Sequence, residues 1–141
     1  MKITVRMMLL PYAVDLPAPN RHEHEAALNL VAAVPVDAPV VIAPGKRAAI
    51  PTGLTVALPP GTEGQIRSRP GLALHYGIIV LAAPQTVAAD YRGEIHVILA
   101  NLGEAPFTVE RGALIALLVV APALTVDWEY ARIDGENDRN G

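Results

Sequence analysis

Thirteen prolines and eleven glycines cut this 141-residue chain into short stretches, and that punctuation limits its fold more than any other feature. Turns at Pro44-Gly45, Pro51-Thr52-Gly53 and Pro59-Pro60-Gly61 separate apolar runs at intervals of about eight to twelve residues, the spacing of an all-β sandwich or barrel. The chain is 52% hydrophobic but only 4% aromatic, which suits short strands joined by tight turns better than a helical bundle.

Strands are expected at Lys2–Leu9, where Ile3, Val5, Met7 and Leu9 share one face, and at Ala26–Ala33, Val40–Ile42, Lys46–Ile50 and Leu54–Leu58. They resume at Ile78–Leu81, Glu94–Ala100, Phe107–Val109 and Leu114–Val120. Gly71–His75 is the one expected short helix, since Leu72, Ala73 and Leu74 lack β-branching and Gly77 can end the turn. Tyr12–Glu25 reads as irregular, and a last segment, Leu124–Tyr130, carries the only tryptophan, Trp128. Residues 1–130 are expected to form a single β domain, and the polar residues 131–141 a disordered tail.

A net charge of −3 with scattered basic residues gives no electrostatic footprint for nucleic acid. Zero cysteines exclude disulfides and thiolate metal sites. The apolar run Ala113–Leu124 is too short to span a bilayer and contains Pro122, and the N-terminal run meets Pro11 too early for a signal segment. A soluble, cytoplasmic protein without membrane partners is the expectation.

The stretch Pro84–Ile95, P-Q-T-V-A-A-D-Y-R-G-E-I, resembles the third motif of the trimeric dUTP diphosphatases, usually P-G-T-I-D-x-D-Y-R-G-E-[IV]. Framework segments follow in that family's order: I-P-T-G-L at Ile50–Leu54, L-P-P-G at Leu58–Gly61, V-I-L-A-N-L-G at Val97–Gly103 and P-F-T-V-E-R-G at Pro106–Gly112. The resemblance covers about Ile3 to Trp128. It implies an all-β jelly-roll or barrel subunit with one short helix, a three-fold homotrimer with sites at subunit interfaces, and Mg²⁺ helping to hold a triphosphate.

The motifs that carry the family's chemistry are altered. Asn29 stands where an aspartate helps organise the metal-bound substrate, and an amide brings no negative charge to a hard cation. Ser68-Arg69-Pro70-Gly71 replaces a P-R-S-G that cradles phosphates. Pro70 has neither the serine hydroxyl nor a backbone N–H. Ala88 replaces the aspartate that orients and deprotonates water, and loss of a general base costs about 10²- to 10⁴-fold in rate. Gln85 replaces a glycine, Ala82 an asparagine near the uracil, and Leu114 and Leu117 an arginine and a glutamine. Asp134–Gly141 does not resemble the family's glycine-rich fifth motif. Tyr91, which packs on deoxyribose in the family, remains; a Tyr filling a barrel mouth is its alternative reading.

Other groups carry paired readings. His22, Glu23, His24 and Glu25 offer metal ligands or a pH-responsive contact, against a solvated loop. Arg69 and Arg92 either attract phosphate or pair with Asp90 and Glu94; Leu114 and Leu117 are either new core or a subunit contact. His75 and His96 are isolated; His96 is expected mid-strand, facing the trimer axis or the solvent, and reads as packing rather than as a ligand. Three functions follow: a non-catalytic homotrimer, natural or engineered, acting alone or with further protein subunits in a larger assembly and needing no cofactor; a Mg²⁺-dependent dUTP diphosphatase; or a nucleotide-binding regulator.

Overall fold

The computed structural model describes residues 2–17 and 27–134; His22, Glu23, His24 and Glu25 and residues 135–141 lie outside them. Eleven strands are present among the described residues: β1 (Arg6–Leu9), β2 (Leu28–Val31), β3 (Val40–Ile42), β4 (Arg47–Pro51), β5 (Leu54–Ala57), β6 (Thr62–Arg67), β7 (Ile78–Val80), β8 (Gln85–Val87), β9 (His96–Asn101), β10 (Phe107–Val109) and β11 (Leu114–Pro122). The one α-helix, α1, spans Pro70–Tyr76, and a 3-10 turn covers Pro11–Ala13. The strands pair antiparallel in four ladders, β1-β5, β10-β3, β2-β11-β6-β8 and β4-β9-β7. This is the all-β architecture the turn spacing predicts.

Between these ladders lies an aliphatic core: Leu30, Ile42, Ile50, Leu54, Ile66, Ile78, Ile95, Leu99, Ile115 and Leu118 are all buried. No aromatic side chain is fully buried among the described residues, so β-branched residues and leucine fill the interior, as befits a pleated, alternating surface.

Several expectations need correction. β6 and β8 are strands the turn spacing does not mark, although Glu63, Gln65 and Arg67 alternate with Gly64 and Ile66. The first strand is shorter than Lys2–Leu9, and Ile3 and Met7 do not reach the interior; only Val5 and Leu9 pack against it. The helix begins at Pro70, whose missing N–H costs nothing in a first turn, and stops at Gly77 in the left-handed region (φ 71°). A Cβ on Gly77 would also sit 2.5 Å from the Gly103 nitrogen, because Leu102 N–H donates to the Gly77 carbonyl at 2.8 Å.

Two polar centres bind the ladders together. Asn101, fully buried, donates through Nδ2 to the carbonyls of Ile42 and Ala105, both at 2.9 Å, and its Oδ1 accepts from Gly103 N–H at 2.8 Å. The buried Thr52 donates to the Ile95 carbonyl at 2.7 Å, while Ile95 N–H donates to the Leu54 carbonyl. Beside it, Gly53 (φ 66°) has no room for a Cβ against Ala13. Its N–H donates to Glu94 at 2.9 Å and its carbonyl accepts from Leu10. Tyr12 donates its hydroxyl to the same Glu94 carboxylate. Arg111 closes this corner, donating to the Tyr12, Ala33 and Val34 carbonyls and forming a two-pronged pair with Asp15. That pair holds the Asp15 carboxyl below its ordinary range.

Two predictions follow from these centres. Asn101→Ala leaves three backbone groups without their partner, and urea denaturation should show a loss of about 3 kcal/mol. The Tyr12 phenol is raised to about 12, first by its partial burial and then by the hydrogen bond and negative charge of Glu94. A raised folded-state value means that Tyr12 contributes its full stability below pH 10 and loses it as pH climbs towards 12. The thermal midpoint should therefore fall more over that interval for the unaltered chain than for Tyr12→Phe.

Candidate functional site

The positions singled out by the motifs fall into two groups. The first lies where β2, β11 and the start of α1 meet. Asn29 on β2 is directly opposite Leu117 on β11, and Leu117 is opposite Arg67 on β6. Directly opposed residues share a face, so these three form a row on the outer side of the sheet, away from the buried Leu118 and Ile66. Arg69 precedes the helix in extended conformation and donates its Nη1 to the Asn29 side-chain oxygen. Pro70 and Gly71 open α1 beside it, both exposed, and Leu114, also exposed, opens β11 opposite Val31. Leu114 and Leu117 are therefore not new core: one is exposed and the other half-buried. The missed strand β6 adds a polar line on this face, with Arg67 donating to Gln65 at 2.9 Å and Gln65 to Glu63 at 3.3 Å.

The second group surrounds β8. Ala82 is exposed in the turn that leaves β7, and Gln85 opens β8 opposite Ile66. The ladder between β7 and β9 ends where Leu81 N–H donates to the Ile98 carbonyl, because the chain then crosses to the neighbouring sheet. The gap this leaves along β9 is closed by the Gln85 carboxamide. Its Nε2 donates to the His96 carbonyl at 2.7 Å and its Oε1 accepts from Ile98 N–H at 3.2 Å. One side chain thus continues the ladder in place of a peptide group.

Ala88 follows β8, exposed, at the rim of a depression of about 290 Å³ lined by Ile66, Gln85, Thr86, Val87, Ala88, Tyr91, Ile95 and His96. Tyr91 donates its hydroxyl to the Glu94 carbonyl at 2.7 Å, so the ring closes its own turn over Gly93. Arg92 donates to the Ala89 and Tyr91 carbonyls. The expected pairing of Arg69 and Arg92 with Asp90 and Glu94 is therefore replaced. Glu94 is taken by Tyr12 and Gly53, and both arginines bind neutral oxygens instead. His96 opens β9 rather than lying mid-strand, and is exposed.

The structure sets Asn29 and Ala88 apart, although Gln85 lies opposite Ile66, the neighbour of Arg67, and Ser68 Oγ accepts from Val80 N–H at 2.8 Å. β2 and β8 are opposite edges of one four-stranded sheet, about 14 Å apart at the usual strand spacing. Val87, next to Ala88, is opposite Gly64, and Arg67 lies a further three residues, about 10 Å, along β6. Spacing in sequence carries no signal for this separation, which depends on strand order.

The donor set does not fit a divalent cation. No carboxylate lines the depression at Ala88, and among the described residues no group of three or more His, Asp or Glu side chains is placed to hold a metal. Chemically, the β8 side offers backbone, an amide, a phenol and an imidazole, and the β2 side offers two guanidinium groups. Nor is any helix among the described residues long and apolar enough to cross a membrane.

Known proteins place this arrangement. A point mutant of the dUTPase of Staphylococcus bacteriophage 80alpha superposes with a TM-score of 0.83 at 22% identity, over 99% of this chain and 95% of that one. The 80alpha dUTPase with bound dUpNHpp gives 0.81 at 21%, over 95% and 91%. A mutant dUTPase from phage phi11 of S. aureus, a protein that coordinates a structural Mg(II) ion, gives 0.80 at 20%, over 93% and 98%. At these identities the likeness establishes a shared fold, the dUTPase jelly roll. The dUTPase family model matches residues 14–140, nearly the whole sequence, and the chain belongs to the dUTPase family.

Proposed function

We propose that this chain is a non-catalytic member of the dUTPase family, a cytoplasmic three-fold homotrimer that works as a structural or interaction module. The observation that carries this reading is Ala88, whose methyl group stands at the family's catalytic position beside a depression lined by no carboxylate. A methyl group accepts no proton, and the Tyr91 hydroxyl is committed to the Glu94 carbonyl. Gln85 supports it independently: its carboxamide already satisfies the β9 donor and acceptor that an incoming planar amide would need. On the other group, Pro70 removes a hydroxyl and an N–H from a phosphate cradle, leaving Arg67 and Arg69 as its cations.

Self-association is supported by the family match, and closed symmetry gives every copy the same contact. A trimer also repeats each surface patch three times, so weak contacts with further subunits of a larger assembly gain from multivalency.

The family match and the retained Asp90–Ile95 favour a second reading, dUTP hydrolysis with Mg²⁺; nucleotide binding without turnover is its weaker form. Calorimetry with a non-hydrolysable dUTP analogue and Mg²⁺ tests both binding readings, and no heat and no thermal shift at millimolar ligand are expected. Light scattering should give three times the 14.9 kDa chain mass. A monomer contradicts the trimer, and saturable binding of the analogue contradicts the loss of the nucleotide site.

A further inference from the structure

A depression of about 460 Å³ lies at the carboxyl end of α1, against the turn between β9 and β10, and shares no lining residue with the one beside Ala88. Two aromatic rings form part of its wall. Tyr76 and Phe107 meet there with ring centroids 5.5 Å apart, tilted by 52°. Leu74, 79% exposed, also lines it, and Leu102, 68% exposed, immediately precedes Gly103 in the lining turn. Large apolar side chains gathered in this way around one concavity mark an interaction site. Glu104 supplies the only carboxylate of the lining, together with the His75 imidazole. The Glu104 side chain is exposed and makes no ion pair or hydrogen bond among the described residues.

The frame fixes this arrangement. Asn101 accepts from Gly103 N–H at 2.8 Å and donates to the Ala105 carbonyl at 2.9 Å, so the residues on both sides of Glu104 are tied to one buried side chain. Leu102 N–H donates to the Gly77 carbonyl at 2.8 Å, and Gly103 has no room for a Cβ against the Tyr76 carbonyl. Rings and carboxylate thus stand on backbone that needs little reordering to bind, which lowers the cost of association.

An aromatic face and a carboxylate without a partner attract the same thing, a cation. A planar guanidinium can stack on a ring and fork onto a carboxylate at once, whereas an ammonium is a point charge. Leu74 and Leu102 call for apolar groups next to that cation, which a peptide segment brings and a free small cation does not. We propose that this depression receives an arginine side chain from an apolar segment of a partner protein. Its guanidinium lies on Tyr76 and pairs with Glu104, and its apolar neighbours cover Leu74 and Leu102. The site rests on the interaction-module reading for its use, but it is read out by binding at residues remote from Ala88, so its failure leaves the missing reaction and the trimer as they stand.

The first probe is N-acetyl-arginine amide, titrated into the ¹⁵N-labelled full chain and followed by amide chemical shifts. Saturable shifts at Tyr76, Gly77, Gly103 and Glu104 are expected at millimolar probe, and the neutral isostere N-acetyl-citrulline amide should bind about tenfold more weakly. Glu104→Gln and Tyr76→Ala change exposed side chains, so the remaining spectrum should hold while each weakens arginine binding by about fivefold or more. The peptide N-acetyl-Leu-Arg-Leu amide should bind several-fold more tightly than the single residue, and Leu74→Ala should remove that gain. No saturable shift, or citrulline equal to arginine, overturns the site. A peptide no tighter than the arginine amide overturns the partner segment and leaves a site for a free guanidinium compound. A fall in assembly mass by light scattering in Glu104→Gln gives the groove to a second copy of this chain and overturns the separate partner.

Discussion

The junction of Thr52-Gly53 with Glu94-Ile95 is the contact on which the remaining architecture depends. Four ladders of short strands give no single sheet wide enough to hold the molecule together, so the corner must be fixed by specific polar contacts. Thr52 donates to the Ile95 carbonyl and Ile95 N–H to the Leu54 carbonyl, joining the β4–β5 turn to the entry of β9, and Gly53 and Tyr12 anchor the amino-terminal strand through Glu94. Thr52, Gly53 and Ile95 are buried, and an unpaired polar group there would cost about 1–3 kcal/mol. The retained half of the Pro84–Ile95 stretch is therefore retained for the frame. Tyr91 closes a turn, Gly93 lies under its ring, and Glu94 and Ile95 hold the corner.

The altered positions lie on the solvent side of that frame. Asn29 and Leu117 stand on the outer face of the β2-β11-β6-β8 sheet, Pro70 at an exposed helix start, and Ala88 past the end of β8. Changing them leaves the core untouched, so fold and chemistry can be lost separately. Gln85 goes further and makes the gap beside β9 part of the ladder. Electrostatic preorganisation of the kind that stabilises a developing charge needs donors and carboxylates fixed at the reacting atoms, and no carboxylate lines the depression beside Ala88.

Much of this was legible in the sequence, because turn chemistry and strand periodicity are local. The Pro-Gly spacing gives the β architecture, and Pro70 and Gly77 bracket the helix to within one residue. What the sequence hid was set by tertiary contacts. β6 follows a Pro-Pro-Gly turn so closely that its alternation is easily passed over, and β8 is three residues long within a motif read for chemistry. Partner choice was also hidden. Arg92 has Asp90 and Glu94 each two residues away, yet Tyr12 and Gly53, remote along the chain, take Glu94. Strand order alone puts Asn29 and Ala88 on opposite sheet edges.

A frame kept whole with altered positions on its solvent side is what the proposed non-catalytic role requires. Loss of the reaction on an intact dUTPase fold is read out by pyrophosphate release from dUTP with Mg²⁺ under single-turnover conditions, protein in excess over nucleotide. No release above the uncatalysed background is expected. Release that grows with protein concentration and stops on chelation of the metal would contradict it.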